Sequence, residues 1–593
     1  MSRRLCSAQA ILAALVAVCL FWTATARAEL SSATRDSLTQ YLDGLAAFGF
    51  AGQVVVAEGD SILIESASGL ADREGHRVGP HTRFALGSIT KSVTGALITV
   101  QAEQGVLRLD DTLGRWFKTV PADKRRITLR MLLTHTSGLS MDTESVHEDD
   151  SPAQVLAKTL AEPLIAAPGE RFVYSNAGYQ LLAAVLESAT GRSFVDLARE
   201  QLLAPSGMRD SGTGARFGAS VRDAATGRNE WTMSGSLRDW RQKWAGTGAG
   251  DLVSTARDLH RWARTLQGAG PMSIAALDTM MTRRQPLARG MSYGFGVYLV
   301  PESEGPDRVS IGGDVPGYHA AAWFMRRAPR RITSVVMSGE IHGRSLPVRV
   351  IQQSLWRMLD GQPVALPPAT VNWPRERLAA LAGAWDVGEG GELKLERDGD
   401  GLALALSGPD AMALRFGSDS LGMRSALDAR AASVLRAAAL PGDSALRAQL
   451  QEVEQRFWLE PLRRGMRQRL ERYGPLEAVT RNGTIALPWL AQGSRSYLDL
   501  RFARGTSRVS LAWLEGGLLD IAFEEERPAP VLLPVAPSAD GGLIAWDLLS
   551  GDTIRLEPFL DAKGAGMRVS GHGLQAIARR ATAKATPSGR LKR

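Results

Sequence analysis

The strands predicted in this chain lie at the two ends of a long segment, and the predicted helices lie between them. A hairpin is predicted within residues 52–72, where the apolar run Gln53-Val54-Val55-Val56-Ala57 is followed by the turn Glu58-Gly59-Asp60. Further strands are predicted at 293–300, 319–326 and 331–338, and helices at 88–104, 152–162, 177–190, 194–203 and 255–267. One antiparallel sheet must therefore be completed by segments distant in sequence, with an all-helical lobe packed beside it.

The length of the chain predicts more than one domain. A chain of 593 residues is too long for a single hydrophobic core. The paired prolines of the segment 361–368 cannot continue a helix or a central strand, so this segment is interpreted as a linker. We therefore place the first domain at residues 29–366.

Two accessory domains are predicted after the linker. Short alternating runs split by Asp398-Gly399-Asp400-Gly401 predict a small β-rich domain at 370–440. A helical pattern at 444–472, interrupted at Pro461, is followed by strand patterns at 496–503, 507–514 and 517–523, which predicts an α+β domain at 441–580. The proline-rich stretch 527–537 is predicted to be a loop, and residues 581–593 a basic flexible tail.

The first 28 residues have the pattern of a secretory signal peptide. Arg3 and Arg4 precede the apolar run 11–22, and Ala26-Arg27-Ala28 follows as a small-residue cleavage site. The apolar run is about 12 residues, whereas a membrane-spanning helix needs about 20. We expect cleavage after Ala28, no stable membrane anchor afterwards, and a periplasmic or secreted protein.

Charge and cysteine content exclude several kinds of function. The formal net charge is +8, and part of it lies in the tail, where no aromatic residues suited to stacking on bases are interleaved. Both cysteines, Cys6 and Cys19, lie inside the predicted signal, so we expect no disulfide or thiol chemistry. No His-Glu-x-x-His pattern occurs either. We therefore predict no nucleic-acid partner, no metal and no cofactor, and a small molecule or peptide as substrate.

Ser88-Ile89-Thr90-Lys91 is the only Ser-x-x-Lys sequence in the chain. It opens the helix predicted at 88–104, where a spacing of three residues puts hydroxyl and amine on one face, a turn apart. An amine in contact with a serine can activate it as a nucleophile. The structural alternative is a helix-capping serine followed by a solvated lysine.

Two further motifs complete the pattern. Tyr174-Ser175-Asn176, the only Tyr-x-Asn, precedes a predicted helix, where it could equally be a packed tyrosine beside a capping residue. The segment 309–317 is a predicted strand that enters a turn through Gly312-Gly313, and glycines allow a ligand to approach the backbone closely. As a generic hairpin turn, this segment would need no function.

In this order the three motifs resemble those of the serine β-lactamase-related family. That family includes class C β-lactamases, penicillin-binding DD-peptidases, D-aminopeptidases and carboxylesterases. The resemblance covers about residues 40–355 and extends to the blocks 84–91, 132–139, 174–179 and 293–296. It implies a β-lactamase/transpeptidase-like fold of α/β (α+β) type. His135 lies in one of these blocks, which in the family is a structural turn, so we expect a structural role for it.

The resemblance also implies a division of labour among the motif residues. Ser88 would be acylated, with Lys91 and Tyr174 as the coupled proton acceptors, since a neighbouring ammonium favours phenolate. Asn176 would orient the substrate, and the oxyanion would lie between the backbone N–H groups of Ser88 and Gly313.

One feature departs from the family pattern, because Ser310 stands where Lys or His usually begins the third motif. Ser310, Gly312 and Gly313 are predicted to line the substrate site. Arg308 or His319 could supply the missing cation. Without that cation, β-lactams and peptides that end in free D-alanine are less obvious substrates.

Several alternatives stay open at this point. Trp231, Trp240 and Trp244 could wall an acyl pocket or pack against the helical lobe. The prediction is an exported serine hydrolase acting on an ester or an amide, of esterase or D-amino-acid peptidase type. The rival hypothesis is an inactive binding or scaffold protein on the same fold.

Overall fold

The computed structural model describes most of the chain. The described residues are 30–72, 75–143, 145–147, 150–213, 244–282, 284–287, 290–302, 305–315, 317–339, 348–388, 391–398, 401–407, 409–416, 423–487, 493–523, 531–548 and 550–581. The predicted signal peptide, Trp231, Trp240 and nearly all of the basic tail lie outside them. In the described part of the chain, no helix is both long enough and apolar enough to cross a membrane.

The first domain is built on an antiparallel sheet completed from distant segments, as predicted. The strand order is β2-β1-β11-β10-β9-β8-β7-β6, and β3, β4 and β5 form a small separate sheet. The strands are β1 (Gly52–Glu58), β2 (Ser61–Ser68), β3 (Phe84–Ala85), β4 (Gly212–Thr213), β5 (Leu252–Ser254), β6 (Gln285–Pro286), β7 (Ser292–Tyr293), β8 (Tyr298–Val300), β9 (Arg308–Val315), β10 (Tyr318–Met325) and β11 (Ile332–Gly339). The single strand predicted at 293–300 is thus two short strands, because the turn between them closes with Gly294 N–H donating to Val297 O at 2.9 Å.

Helices cover both faces of this sheet. They are α1 (Ser32–Ala47), α2 (Thr90–Glu103), α3 (Leu113–Trp116), α4 (Leu129–Leu133), α5 (Pro152–Ala161), α6 (Asn176–Thr190), α7 (Phe194–Leu197), α8 (Ala256–Arg264), α9 (Ile274–Met280) and α10 (Val348–Leu359). Alternate residues of β1 pack into different cores: Val54 and Val56 pack with α1 and α10, whereas Val55 and Ala57 pack with the helical lobe. Both faces of β1 are buried, which explains its unbroken apolar sequence.

A closed eight-stranded barrel follows the first domain, with strand order β12-β13-β14-β19-β20-β21-β22-β23. Its elements are α11 (Arg375–Leu381), β12 (Gly383–Val387), β13 (Gly391–Asp398), β14 (Gly401–Ser407), α12 (Pro409–Phe416), β19 (Val531–Pro537), β20 (Leu543–Trp546), β21 (Thr553–Asp561), β22 (Gly564–Gly571) and β23 (Leu574–Arg580). The hairpin predicted around residue 399 is present, but the segment 531–537, predicted to be a loop, is a strand that pairs with β14. Pro534 fits because it lies beyond the end of β20, so β14 is its only strand neighbour among the described residues.

A second unit is inserted between β14 and β19. It contains α13 (Met423–Ala439), α14 (Ser444–Gln449) and α15 (Glu452–Tyr473), which pack on a sheet of β15 (Leu476–Leu487), β16 (Gly493–Phe502), β17 (Gly505–Leu514) and β18 (Gly517–Phe523). The strand pairing therefore does not follow the two consecutive domains predicted at 370–440 and 441–580, because strands from both ranges form one barrel. Local hairpin patterns cannot indicate that a barrel closes across an insertion, because closure depends on pairing between distant strands.

The helical pattern at 444–472 breaks at a different place from the one predicted. Pro461 lies inside α15, whereas the break falls at Leu450-Gln451, where the side chain of Gln451 forms a capping box with Glu454. The prediction of an interruption at Pro461 is therefore wrong. A cap that satisfies the first N–H groups of a helix marks its start more strongly than an internal proline marks an end.

Among the described residues, the accessory region contacts the first domain through both the barrel and the inserted unit. The ring of Trp546 in the barrel packs on Phe48 with centroids 5.3 Å apart. In the inserted unit, Arg464 on α15 donates from Nη2 to Met141 Sδ at 3.2 Å. The contact at Met141 falls on a loop of the first domain that also reaches Asn176, whose N–H donates to Met141 O at 2.7 Å.

Candidate active site

Ser88 lies in a 3-10 turn, Gly87–Ile89, that leads directly into α2. The strand before it is fixed on the small sheet, where Phe84 pairs with Ser254 and Leu86 N–H donates to Leu252 O at 2.8 Å. Gly87 has a φ of 51°, a left-handed conformation that favours glycine. The sharp turn at Gly87 thus presents the Ser88 hydroxyl at a helix N-terminus, as the sequence predicts.

Lys91 is the buried amine next to this hydroxyl. Its side chain is only 1% exposed, and Nζ lies 3.1 Å from Ser88 Oγ. Nζ also donates to Asn176 Oδ1 at 2.6 Å and to Ala249 O at 2.8 Å. Burial lowers the pKa of Lys91 to about 7, against a smaller opposing effect of Asp142. A neutral amine has two N–H donors and one lone pair, so the two carbonyl oxygens take its donors and the lone pair faces Ser88.

Tyr174 completes the group predicted from the sequence. Its phenol shares a hydrogen bond with Ser88, and Lys91 Nζ lies 5.0 Å from the centre of its ring. Burial, and then Tyr298, raise the pKa of Tyr174 far above its ordinary range. Desolvation thus outweighs the stabilisation of phenolate that a neighbouring ammonium would provide. Tyr174 is a neutral hydrogen-bond donor, and Lys91 is the group poised to accept a proton near neutral pH.

Asn176 is held at both ends of its amide. Oδ1 accepts from Lys91, and Nδ2 donates to Asp142 Oδ1 at 2.7 Å. Asn176 therefore lies at the site, as predicted. It also accepts a hydrogen bond from Lys91, which the sequence analysis did not anticipate. Asp142 was missed by the sequence analysis. It lies in a loop with no recognisable motif of its own, and no local pattern distinguishes it from an ordinary solvated carboxylate.

The strand β9 forms the opposite wall of the site. A Cβ added to Gly313 would lie 1.9 Å from Leu86 O and 2.6 Å from Ser88 N, so glycine is required for this close approach. Val309 and Ile311, on the same face of β9 as Gly313, pack into the core shared with α2. The Gly313–Asp314 backbone is therefore beside the Ser88 amide, as predicted for Gly313.

The prediction that Ser310 lines the substrate site disagrees with this register. Side chains alternate along a strand, so Ser310 and Gly312 belong to the face of β9 turned away from Ser88. Two positions before Gly313, on the face toward Ser88, the chain has Ile311. The side chain on the Ser88 face of β9 is therefore the apolar Ile311, and the predicted Ser310 is not on that face.

Arg308 and His319, the two residues proposed to replace the missing cation, both make other contacts. The guanidinium of Arg308 stacks over Trp323 at 4.3 Å and over Trp356 of α10 at 5.1 Å, on the far face of the sheet. His319 Nδ1 lies 2.7 Å from Asp314 Oδ1. Both side chains are thus engaged elsewhere.

His135 has the structural role predicted for it. It is buried, its φ is 56°, and its Nδ1 accepts from Ser175 N–H at 3.0 Å. Its Nε2 lies 3.2 Å from the hydroxyl of Tyr293. Burial, and then the charge of Lys91, hold the pKa of His135 well below its ordinary value, so the ring is neutral. The imidazole ties the turn before Asn176 to the neighbouring sheet.

The turn that supplies Ala249 O is shaped by glycines. Gly250 N–H donates to Gly246 O at 2.9 Å, and Gly248, with a φ of 75°, would bring a Cβ within 2.8 Å of Ala183. Trp244 opens this turn, and its indole N–H is buried without a hydrogen-bond partner in the described part of the chain. The described residues also contain no group of three or more His, Cys, Asp or Glu side chains arranged to hold a metal ion.

An antiparallel sheet flanked by helices, with a buried Ser-x-x-Lys pair and a Tyr-x-Asn segment beside β9, is the arrangement that the serine β-lactamase-related class predicts. The profile of the Beta-lactamase family matches residues 38–345, and the chain belongs to that family.

The relatives to which the chain is similar have names that state different activities. The chain is 25% identical over 386 residues to penicillin-binding protein 4* of Bacillus subtilis (60% of this chain, 84% of the relative). It is 34% identical over 179 residues to esterase EstB of Burkholderia gladioli (27% and 45%) and 26% identical over 298 residues to a D-aminopeptidase of Brucella anthropi (48% and 55%). The chain thus spans about half the length of the last two.

Proposed function

We propose that this chain is a serine hydrolase in which an ester or amide substrate acylates Ser88. The observation that carries the proposal is the 3.1 Å separation of Lys91 Nζ from Ser88 Oγ, with the lysine buried and its pKa lowered to about 7. A serine hydroxyl is a poor nucleophile until a neighbouring base can take its proton. A lysine that is half deprotonated at neutral pH meets that requirement.

The residues divide the reaction as follows. Neutral Lys91 takes the proton of Ser88 while Oγ bonds to the substrate carbonyl carbon, and the carbonyl electron pair moves onto oxygen. The oxyanion would lie between the Ser88 N–H, at the helix N-terminus, and the Gly313–Asp314 backbone. Tyr174 donates its proton to the leaving oxygen or nitrogen as that bond breaks, and regains one from protonated Lys91. Water then attacks the acyl-enzyme with Lys91 again as base, which releases the acid and restores Ser88.

The proposed substrate class is an ester or an amide of a D-amino acid. The names of the relatives, an esterase and a D-aminopeptidase, support both. Ile311, in place of a cation, argues against substrates that need a lysine there to hold a carboxylate. A screen of short-chain p-nitrophenyl esters, D-alanyl amides and nitrocefin separates these possibilities.

The test of the proposal is covalent labelling of the purified protein. We expect a fluorophosphonate probe to label Ser88 and the Ser88→Ala variant to remain unlabelled. Hydrolysis of p-nitrophenyl esters should be lost in Lys91→Ala and strongly reduced in Tyr174→Phe. Labelling that persists in Ser88→Ala would refute the assignment. Absence of both labelling and hydrolysis in the wild type would favour the rival binding or scaffold protein.

We also propose that the protein is exported to the periplasm or secreted. The support is the charged, apolar and small-residue order of the first 28 residues. Expression of the whole gene followed by cell fractionation should yield a protein that begins at Glu29. Recovery of the chain with residues 1–28 intact in the cytoplasmic fraction would contradict export.

A further inference from the structure

A carboxylate reaches the site without touching the lysine. Asp142 Oδ1 accepts from Asn176 Nδ2 at 2.7 Å, and Asn176 Oδ1 accepts from Lys91 Nζ at 2.6 Å. Together with Ser88, these side chains form one continuous chain of hydrogen bonds. No step of the acyl transfer described above uses Asp142.

The chemistry of the two side chains gives this contact a consequence. An ionised carboxylate only accepts hydrogen bonds, whereas an asparagine amide has one accepting end and one donating end. Asp142 therefore requires the Nδ2 end of Asn176 to face it, which turns Oδ1 toward Lys91. If the amide were turned over, Nδ2 would donate to the lone pair of the neutral lysine. That lone pair is the one that must accept the proton of Ser88.

We propose that Asp142 is a positioning residue that keeps the Asn176 amide in the one orientation that leaves the lone pair of Lys91 available to Ser88. This inference rests on the proposed function, because it concerns how the base of that same site is kept competent. It adds a residue that the motifs of the sequence do not contain.

The loop that carries Asp142 is fixed on both sides. Asn176 N–H donates to Met141 O at 2.7 Å, and Ser175 Oγ donates to Ser140 O at 2.7 Å. On the outer side, Arg464 of α15 contacts Met141 Sδ. The carboxylate is thus presented to Asn176 by a backbone that is already held in place.

Asp142 also acts on Lys91 through its charge. Burial lowers the pKa of Lys91, and the negative charge of Asp142 raises it, to a smaller extent. The other groups that face the lysine are the neutral phenols of Tyr174 and Tyr179 and the neutral ring of His135. Removal of the Asp142 charge should therefore lower the pKa of Lys91 further. Because Asp142 is exposed and screened by water, we expect a shift of about half a unit to one unit.

The experiment compares pH profiles of the full-length protein with p-nitrophenyl butyrate as substrate. The variants are Asp142→Asn, Asp142→Glu and, as a matched control that also removes one exposed carboxylate, Asp36→Asn on α1. For Asp142→Asn we expect kcat at pH 8 to fall about tenfold, because misoriented groups slow the chemical step. The acid limb of kcat/KM should move to lower pH by about half a unit to one unit. Asp142→Glu should recover most of kcat, and Asp36→Asn should match the wild type.

Two results would overturn the proposal. The first is an Asp142→Asn profile that superimposes on that of the wild type. The second is a lower kcat with a lower melting temperature and an unmoved acid limb, since a purely structural contact would produce that pattern. A wild type without Ser88-dependent hydrolysis would instead refute the proposed function itself, and this is seen before any Asp142 variant is compared.

Discussion

The close approach of β9 to the start of α2 predicts that Gly313→Ala inactivates the site. The new methyl carbon would lie 1.9 Å from Leu86 O, 2.6 Å from Ser88 N and 2.9 Å from Gly87 C, all of them backbone atoms. Contacts under 3.0 Å essentially never occur for Cβ atoms, so the strand or the turn must move by about 1 Å. Displacements of about 1 Å at a reacting centre cost on the order of 100-fold in rate. Loss of an oxyanion donor costs about 100- to 1,000-fold.

The assay for this prediction uses Ser88-dependent ester hydrolysis and thermal unfolding together. We expect kcat/KM to fall at least about 100-fold and the free energy of unfolding by about 1–3 kcal/mol, the usual cost of overpacking. Gly312→Ala is the matched control, because among the described residues its Cβ would meet only Ala320 O, at an ordinary 3.7 Å. The control should retain activity within about threefold. Equal losses in the two variants, or full activity in Gly313→Ala, would refute the placement of β9 against Ser88.

Two further predictions follow from side chains near the site. Ser310→Ala should change kcat/KM for neutral esters by less than about twofold, because the side chain faces away from Ser88; a loss comparable to that of Gly313→Ala would restore Ser310 to the site. Burial raises the pKa of Asp251 to about 7 from its ordinary 3.8. The folded state is therefore favoured while this carboxyl is protonated. The free energy of unfolding should fall as pH rises from about 4 to 7, by up to about 4 kcal/mol. Asp251→Asn should flatten that fall in urea titrations, and an unchanged pH dependence would contradict the burial argument.

The sequence could predict those parts of the site in which the spacing of residues along one segment determines how their side chains are arranged. Ser88 and Lys91 are three residues apart at the start of a helix, so their contact follows from helical spacing alone. Tyr174 lies just before α6 and Asn176 is the first residue of that helix, and both reach the same serine–lysine pair. Their meeting with Ser88 needed the resemblance to a family, because no local rule connects segments so far apart.

The parts that could not be predicted depend on register and on long-range pairing. Ser310 and Ile311 are neighbours in sequence but lie on opposite faces of β9. An error of one residue in the register therefore moves every side chain of the strand to the wrong face. The barrel closes through β14 and β19, which are separated by the whole inserted unit. Asp142 depends on where a loop without a motif returns to Asn176.

Burial acts in opposite directions on the two ionisable groups beside Ser88, and this predicts the shape of the pH profile. Desolvation disfavours the charged form of each, so it lowers the pKa of Lys91 to about 7 and raises that of Tyr174 far above its ordinary range. The rate kcat/KM for a neutral ester should therefore rise with pH through a midpoint near 7, as Lys91 becomes a free base. It should then stay level to about pH 10, because Tyr174 keeps the proton it must donate. Rates corrected with the Ser88→Ala variant test this directly. A one-proton decline between about pH 8 and 10 would mean that the proton donor is lost there, which would contradict the raised pKa of the Tyr174 phenol.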